Sequence, residues 1–262
     1  MQIGSTNDAQ AVKEQYATSN RLNTRISFHD KNSTNKQGFS NWLVSNYEIP
    51  QGARVLELGC GTAGIWTGRD ELIAKCSKLI LTDLSEGMLE TARENIGEKE
   101  NVDYAVADIQ NLPFEDSSFD IVIANYMLYH VPDLAKGISE VRRVLKDGGT
   151  FYCATYGENN FVEKLAEWFE LSGESFHPNH NFTLDNGGAK LSASFKDVRL
   201  LRYEDSLHIT DTQDLVDYIK SLASFKDVLD LSDDEKIRNI LSPHIADGAI
   251  DLPKDYGTFI AS

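Results

Sequence analysis

The chain reads as an α/β protein built on a doubly wound, mostly parallel sheet. Three observations carry that prediction. From Arg54 to Thr155, five short apolar runs alternate with stretches of helical periodicity. The runs lack a polar face, as strands do when helices cover both sides of a parallel sheet. The first run breaks into Gly59, Gly61 and Gly64, a spacing that lets the backbone turn sharply and approach a ligand.

The elements follow in order. Ala9–Ser19 reads as a short polar helix, and Phe39, Trp42, Leu43 and Tyr47 mark an amphipathic one. Strands are expected at Arg54–Leu58, Leu79–Asp83, Val102–Val106, Ile121–Asn125 and Thr150–Thr155. Ser85 caps a helix carrying Met88, Leu89, Ala92 and Ile96, stopped by Gly97. Leu134, Ile138, Val141 and Leu145 define another, ended by Gly148. Asn160 and Glu163 form a capping box that opens a helix with Phe161, Leu165, Trp168 and Phe169. Gly173–Lys190 is loop-rich. Val198–Tyr203 reads as a strand, and Thr212–Leu222 and Ser232–Leu241 as helices, the second with a Ser232/Glu235 capping box. Gly257–Ala261 supplies a final strand. The string ASFKDV occurs twice, in different contexts, and marks no repeat architecture. These divisions give an N-terminal helical cap (1–48), a core (49–156), a lid insertion (157–190) and a C-terminal part of the sheet with a helical segment (191–262).

Composition narrows the function classes. A formal charge of −16 opposes binding to phosphate backbones, so no nucleic acid is expected as a partner. Cys60, Cys76 and Cys153 are an odd set without paired spacing, which points to a reducing compartment, the cytoplasm. No secretory signal and no membrane-spanning run is visible.

The glycine loop is the centre of the functional reading. Asp83 follows Gly64 by about 20 residues, the spacing of a dinucleotide fingerprint. A pyrophosphate at a helix start disfavours a neighbouring carboxylate, yet Glu57 stands two residues before Gly59. An acid there suits a ligand with positive groups. S-adenosylmethionine (SAM) carries a sulfonium and an ammonium and no phosphate. Asp83 suits the ribose hydroxyls of either cofactor. Asp108 follows the next apolar run and can accept from an adenine amine, with Ile109 covering the ring.

In these pieces the chain resembles the class I SAM-dependent methyltransferases, most closely the small-molecule branch called type 11, which includes quinone-biosynthesis C-methyltransferases. The matching segments are VLELGCGTAG, LTDLSEGML, VADIQNLPFEDSSFDIVIANYMLYHV and VLKDGGTFYCAT. The resemblance implies a Rossmann-like methyltransferase fold, a seven-stranded sheet whose last strand, here the closing GTFIAS, runs antiparallel. It implies that Glu57, Gly59 and Gly61 line the methionine moiety and that Asp83 holds the ribose. Leu84 and Met88 would flank the adenine, and Asp108 and Ile109 would read its edge. Asn125 and Tyr126 would contact the cofactor near its sulfonium. From the N-terminal segment, Tyr16, Arg25 and Lys36 are candidates to close over it, a cation being needed for the SAM carboxylate.

The resulting reading is in-line methyl transfer from SAM to a small-molecule acceptor. The enzyme aligns and desolvates that acceptor. A general base serves only where the acceptor must lose a proton. His130, one turn past the fourth strand tip in ANYMLYH, is the first candidate. Tyr126, Tyr129 and His29 are alternatives. ANYM stands where methyltransferases of adenine and glutamine amides carry Asn-Pro-Pro-Tyr. His177 and His180 form an H-x-x-H without a convincing third ligand, so no metal is expected. Trp168, Phe169, Phe176 and Phe182 offer an aromatic lid over the strand tips. The rival readings are an RNA methyltransferase of the same fold, a catalytically silent SAM-binding regulatory protein and a nicotinamide-dependent oxidoreductase.

Overall fold

β1 (Ala53–Leu58) is the hub of the architecture. It pairs in parallel with β2 (Cys76–Asp83) on one side and β4 (Phe119–Ile123) on the other. β3 (Val102–Val106) extends the sheet beyond β2, and β5 (Leu145–Tyr156) extends it beyond β4, both in parallel. β7 (Ile250–Ala261) then enters antiparallel to β5, and β6 (Val198–Ile209) closes the far edge. The order is β3-β2-β1-β4-β5-β7-β6, a seven-stranded sheet among the described residues. The computed structural model describes residues 20–171, 179–222, 225 and 232–262. The expected helix at Ala9–Ser19, with Tyr16, lies outside them.

The apolar strands divide their side chains between two cores, as a pleat of period two requires. Val55, Ile121 and Ile123 join one cluster, with Leu43, Trp66 and Ala92. Leu56, Leu58 and Val122 join the opposite one, with Ile138, Val141 and Phe151. Helices cover both faces, Phe39–Ser45, Asp70–Lys75 and Glu86–Ile96 on one and Leu134–Val144 and Gly187–Leu191 on the other. α1 (Asn20–Asn32), α2 (Phe39–Ser45) and the short α3 (Asp70–Lys75) precede α4 (Glu86–Ile96). In α4 the Ser85 side chain accepts from the Met88 amide, and Gly97 ends the helix at φ 73°. α5 (Leu134–Val144) is capped by Asp133, which accepts from the Lys136 amide. Both caps satisfy amides that a helix leaves unpaired.

A third apolar cluster sits beyond the strand tips. β6 and β7 pair along their whole length, from Val198↔Ala261 to Ile209↔Ile250, whereas β5 reaches only Tyr156↔Tyr256. The ribbon therefore overhangs the sheet. On it pack α1, α6 (Phe161–Trp168), α8 (Thr212–Ser221) and α9 (Asp234–Leu241), through Phe28, Phe161, Leu207, Leu215 and Ile237. α7 (Gly187–Leu191) returns to the sheet, where Leu191 is fully buried.

Several boundaries differ from expectation. β2 starts at Cys76 and β5 at Leu145, because these residues pair with Ala53 and Phe119 directly after the preceding helix. α5 consequently stops at Val144, before Gly148. β4 ends at Ile123 and leaves Asn125 in the loop beyond. Asp233, not Ser232, caps α9 by accepting from the Lys236 amide. Of the described residues in 157–190, Phe182 and Leu184 join the sheet core and Phe161, Leu165 and Phe169 the third cluster. Phe182 is fully buried edge-on to Phe259, 5.7 Å between centroids, and its carbonyl accepts from the Thr155 hydroxyl at 2.9 Å. Phe169 lies in the third cluster, and Trp168 stacks on His244 at 3.8 Å. Phe176 and His177 lie outside the described residues.

Candidate active site at the strand tips

The C-terminal ends of β1, β2 and β4 converge on the glycine loop. Glu57 is 2% exposed, and its Oε2 accepts from the indole of the fully buried Trp66 at 2.6 Å. Burial pushes its carboxyl up to about 8; the Trp66 bond opposes that and nearby Asp83 adds to it. The loop is pinned to β2 by the Cys60 amide donating to the Thr82 carbonyl at 2.8 Å, and the Thr82 hydroxyl donates to the Glu57 carbonyl at 2.8 Å. Gly59 has φ 64°, and a Cβ there would stand 2.8 Å from Met127 Cβ. Only glycine admits both that backbone and that contact.

Asp83 accepts from the Gly61 amide at 3.0 Å through Oδ2 and from the Ser85 amide at 2.8 Å through Oδ1. Burial raises its carboxyl, and those backbone bonds pull it back. Leu84 beside it is half-buried, while Met88 is 2% exposed. Asp108 accepts from the Gln110 amide at 2.9 Å, and Ile109 is buried in the sheet core. Glu57, Gly59, Gly61, Asp83 and Leu84 thus share one tip region.

Asn125 and Tyr126 continue from β4. The Asn125 side-chain amide donates to the Tyr47 hydroxyl at 2.8 Å, and its Oδ1 is buried without a partner. Tyr126 has φ 54°, unusual for an aromatic residue, and its amide donates to the Ala154 carbonyl at 2.9 Å. Its ring lies 5.5 Å from Phe39 and 5.6 Å from Tyr256. His130 closes a 3-10 turn (Leu128–His130), its ring 4.5 Å from that of Tyr129. Of the N-terminal candidates, Arg25 is half-buried on α1 and acts electrostatically on Tyr256. Lys36 donates to the Ser33 carbonyl at 2.6 Å. His180 pairs with Glu163 at 2.7 Å. Cys60, Cys76 and Cys153 are buried and unbridged.

Residues 56–153 match the methyltransferase domain. The match runs from β1 to β5 and includes Glu57, Asp83, Asp108, Asn125, Tyr126 and His130, in agreement with the resemblance read from the motifs. A demethylmenaquinone methyltransferase of Staphylococcus epidermidis is 34% identical over 144 residues, 55% of this chain and 56% of that protein. One from Staphylococcus aureus strain Newman is 35% identical over 134 residues, 51% and 53% of the two chains. The chain spans about half the length of these curated relatives. Among solved structures, the YcgJ protein of Bacillus subtilis superposes with a TM-score of 0.58 at 21% identity, covering 85% of this chain and 96% of that one. Haemonchus contortus phosphoethanolamine N-methyltransferase 2, in complex with S-adenosyl-L-methionine, gives 0.61 at 19%, covering 99% and 60%. At such identities the superpositions establish the shared fold.

Sequence reasoning missed what surrounds the methyltransferase domain motifs. Trp66 carries no periodic signal, yet its indole holds the Glu57 carboxyl group. His29, Tyr218 and Tyr256 come from α1, α8 and β7 and meet only in three dimensions, with His29 5.6 Å from Tyr218 and 5.9 Å from Tyr256. Lys254 and Asp205, both buried, pair at 2.5 Å beneath them.

Proposed function

We infer that this protein transfers a methyl group from S-adenosylmethionine to a small-molecule acceptor by in-line displacement. The observation that carries this is the pair of acidic side chains, Glu57 and Asp83, at adjacent strand tips around a glycine loop within a matched methyltransferase domain.

The residues present suit an adenosyl sulfonium better than a dinucleotide. After Gly61 the chain runs in turns, with the Ala63 amide bonded to the Cys60 carbonyl and the Trp66 amide to the Ala63 carbonyl. α3 begins only at Asp70, so no helix N-terminus is offered to a pyrophosphate. The partnerless Oδ1 of Asn125 is an acceptor that suits a cationic group. In this reading Asp83 holds the ribose, and Gly59 and Gly61 let the backbone approach the methionine portion. Glu57 orders the loop beside it, Leu84 and Met88 support the adenine, and Asp108 and Ile109 meet its edge. Arg25 supplies a cation from α1, with Tyr16 a further candidate from the same segment. The bound cofactor supplies an activated methyl group. The protein's part is to align the acceptor and exclude water, and His130 is the base where a proton must leave. The relatives' name suggests a quinone-type acceptor. Cytoplasmic placement belongs to the same reading; no helix among the described residues is long and apolar enough to cross a membrane.

Calorimetry with SAM, S-adenosylhomocysteine and NADH tests this. Both adenosyl compounds should bind and NADH should not. Asp83→Ala should weaken S-adenosylhomocysteine by at least about tenfold, one charge-assisted contact's worth. Binding of NADH alone, or an Asp83→Ala protein with unaltered affinity, would overturn the assignment. His130→Ala should slow turnover more than it weakens SAM binding.

A further inference from the structure

We propose that the cluster of Tyr126, Tyr256, Tyr218 and His29 is the acceptor site, and that it takes a small molecule through an ionised oxygen, a phenolate, enolate or carboxylate. The proposal rests on the methyl-transfer reading and adds the class of acceptor to it.

Backbone strain comes first. Tyr126 sits at φ 54°, a conformation that costs about 1–3 kcal/mol in a non-glycine residue and persists only where its surroundings impose it. The strained turn places its ring beside Phe39 and Tyr256, at the same strand end as Asn125.

Two buried polar atoms then stand without a partner, Tyr126 Oη and His29 Nδ1. The other imidazole nitrogen, Nε2, lies 3.4 Å from the Tyr256 hydroxyl. A buried polar atom left unmatched costs about 1–3 kcal/mol, so two in one cluster point to a ligand.

Electrostatics select the ligand's sign. Burial, then the neighbouring phenols, hold the Tyr126 and Tyr256 hydroxyls well above their usual range, with Asp205 adding to the rise at Tyr256 and Arg25 opposing it, so both remain O–H donors. Burial, then Lys254, drives His29 down to about 3, with Arg25 acting in the same direction. The imidazole is therefore neutral. The one carboxylate acting on His29, Asp205, is engaged by Lys254 at 2.5 Å and by the Asn35 amide at 2.9 Å. An ammonium would meet the burial, and after it Lys254 and Arg25, that keep a proton off His29. An oxyanion would meet the phenol O–H donors of Tyr126 and Tyr256, the arrangement of donors that stabilises negative charge in a site shielded from water. The net charge of −16 does not reverse this, because solvated charges are screened beyond about 8 Å at physiological salt. Tyr126 lies within the matched residues 56–153, whereas His29, Tyr218 and Tyr256 lie outside them.

The test titrates the full chain with 4-nitrophenol and, separately, with benzyltrimethylammonium, each with and without S-adenosylhomocysteine. Nitrophenol should bind, and its absorbance should show the bound ring ionised at a pH where the free compound is not. Tyr126→Phe should weaken it by at least about tenfold. Tyr104→Phe, the same change at a phenol on β3 away from the cluster, should leave it unaltered. Tighter binding of the ammonium, capture of nitrophenol only in its neutral form, no nitrophenol binding, or a Tyr126→Phe protein with full affinity would each overturn the proposal. Thermal denaturation checks that the variants fold. Loss of S-adenosylhomocysteine binding would instead remove the methyl-transfer reading, so the two failures are distinct.

Discussion

Glu57 and His29 are both buried titratable groups, and they pull the stability of the fold in opposite directions. Glu57 has its carboxyl raised to about 8, mainly by burial. The folded state therefore holds this proton more tightly than the unfolded chain does. Its contribution is complete below the ordinary value of about 4.5 and is lost as pH rises through about 8. Glu57→Gln keeps an oxygen for the Trp66 indole and cannot ionise. Urea denaturation should find that variant more stable than the parent at pH 8, by an amount on the order of 3 kcal/mol, with the difference gone near pH 4.5. A constant difference across that window would show that Glu57 does not titrate in it. His29, driven down to about 3, stays neutral in the fold while the unfolded chain protonates near 6.5. Its contribution is present above 6.5 and is lost as pH falls toward 3. The acid arm of the stability profile should accordingly flatten in His29→Gln. Trp66 shows why the first effect escapes the sequence. Nothing in the spacing around the glycine loop says that an indole will close on the carboxylate.

The glycine loop and the 3-10 turn after β4 are two elements fitted to one another. Gly59 approaches Met127 so closely that a Cβ would fall 2.8 Å from Met127 Cβ and 2.9 Å from its Cγ. Gly64 has no positive φ, and a Cβ added there would have no atom within 4 Å. Gly59→Ala should cost more than about 1 kcal/mol from the backbone alone, with the clash added, whereas Gly64→Ala should change thermal stability by less than about 0.5 kcal/mol. Equal melting temperatures for the two variants would contradict the fitted contact. The tips themselves were legible. The ends of β1 at Leu58 and of β2 at Asp83 match expectation, because a short apolar run that gives way to glycines or to an acid marks its own stop. The starts of β2 and β5 were not. Cys76 and Leu145 suit a helix face as well as a strand, and distant pairing with Ala53 and Phe119 decides between them. The expected last strand, Gly257–Ala261, covers only the end of β7, which begins at Ile250 and includes Pro253. In the structure residues 250–255 lie past the end of β5, so the missing N–H of Pro253 interrupts no ladder with it.

Across the whole molecule, the overhanging ribbon and the N-terminal segment are joined by contacts between residues far apart in sequence. Lys254 on β7 donates to Asp205 on β6 at 2.5 Å and to the Ser33 hydroxyl at 2.7 Å. Asp205 also accepts from the Asn35 amide at 2.9 Å, and the Thr34 amide donates to the Ser206 carbonyl at 2.9 Å. Ser33 forms a bridge to Leu207, so residues 33–35 cover part of the outer edge of β6. This junction fixes the end of α1, which carries His29, and the approach to α2, which carries Phe39. Both rings reach Tyr256, at 5.9 Å and 5.6 Å. No local pattern foretells it, since a lysine two residues before a tyrosine reads as solvated surface. With side-chain exposures of 2% and 0%, the pair is a buried one, where loss of one partner strands the other charge. Lys254→Met should therefore cost about 3–5 kcal/mol by urea denaturation. The double variant Lys254→Met/Asp205→Leu should recover most of that loss, because the stranded carboxylate goes with its partner. If the double variant is as unstable as the sum of the single ones, the pair is not coupled. If it regains stability but S-adenosylhomocysteine binding stays weak, the ion pair serves chiefly to place α1 over the strand tips.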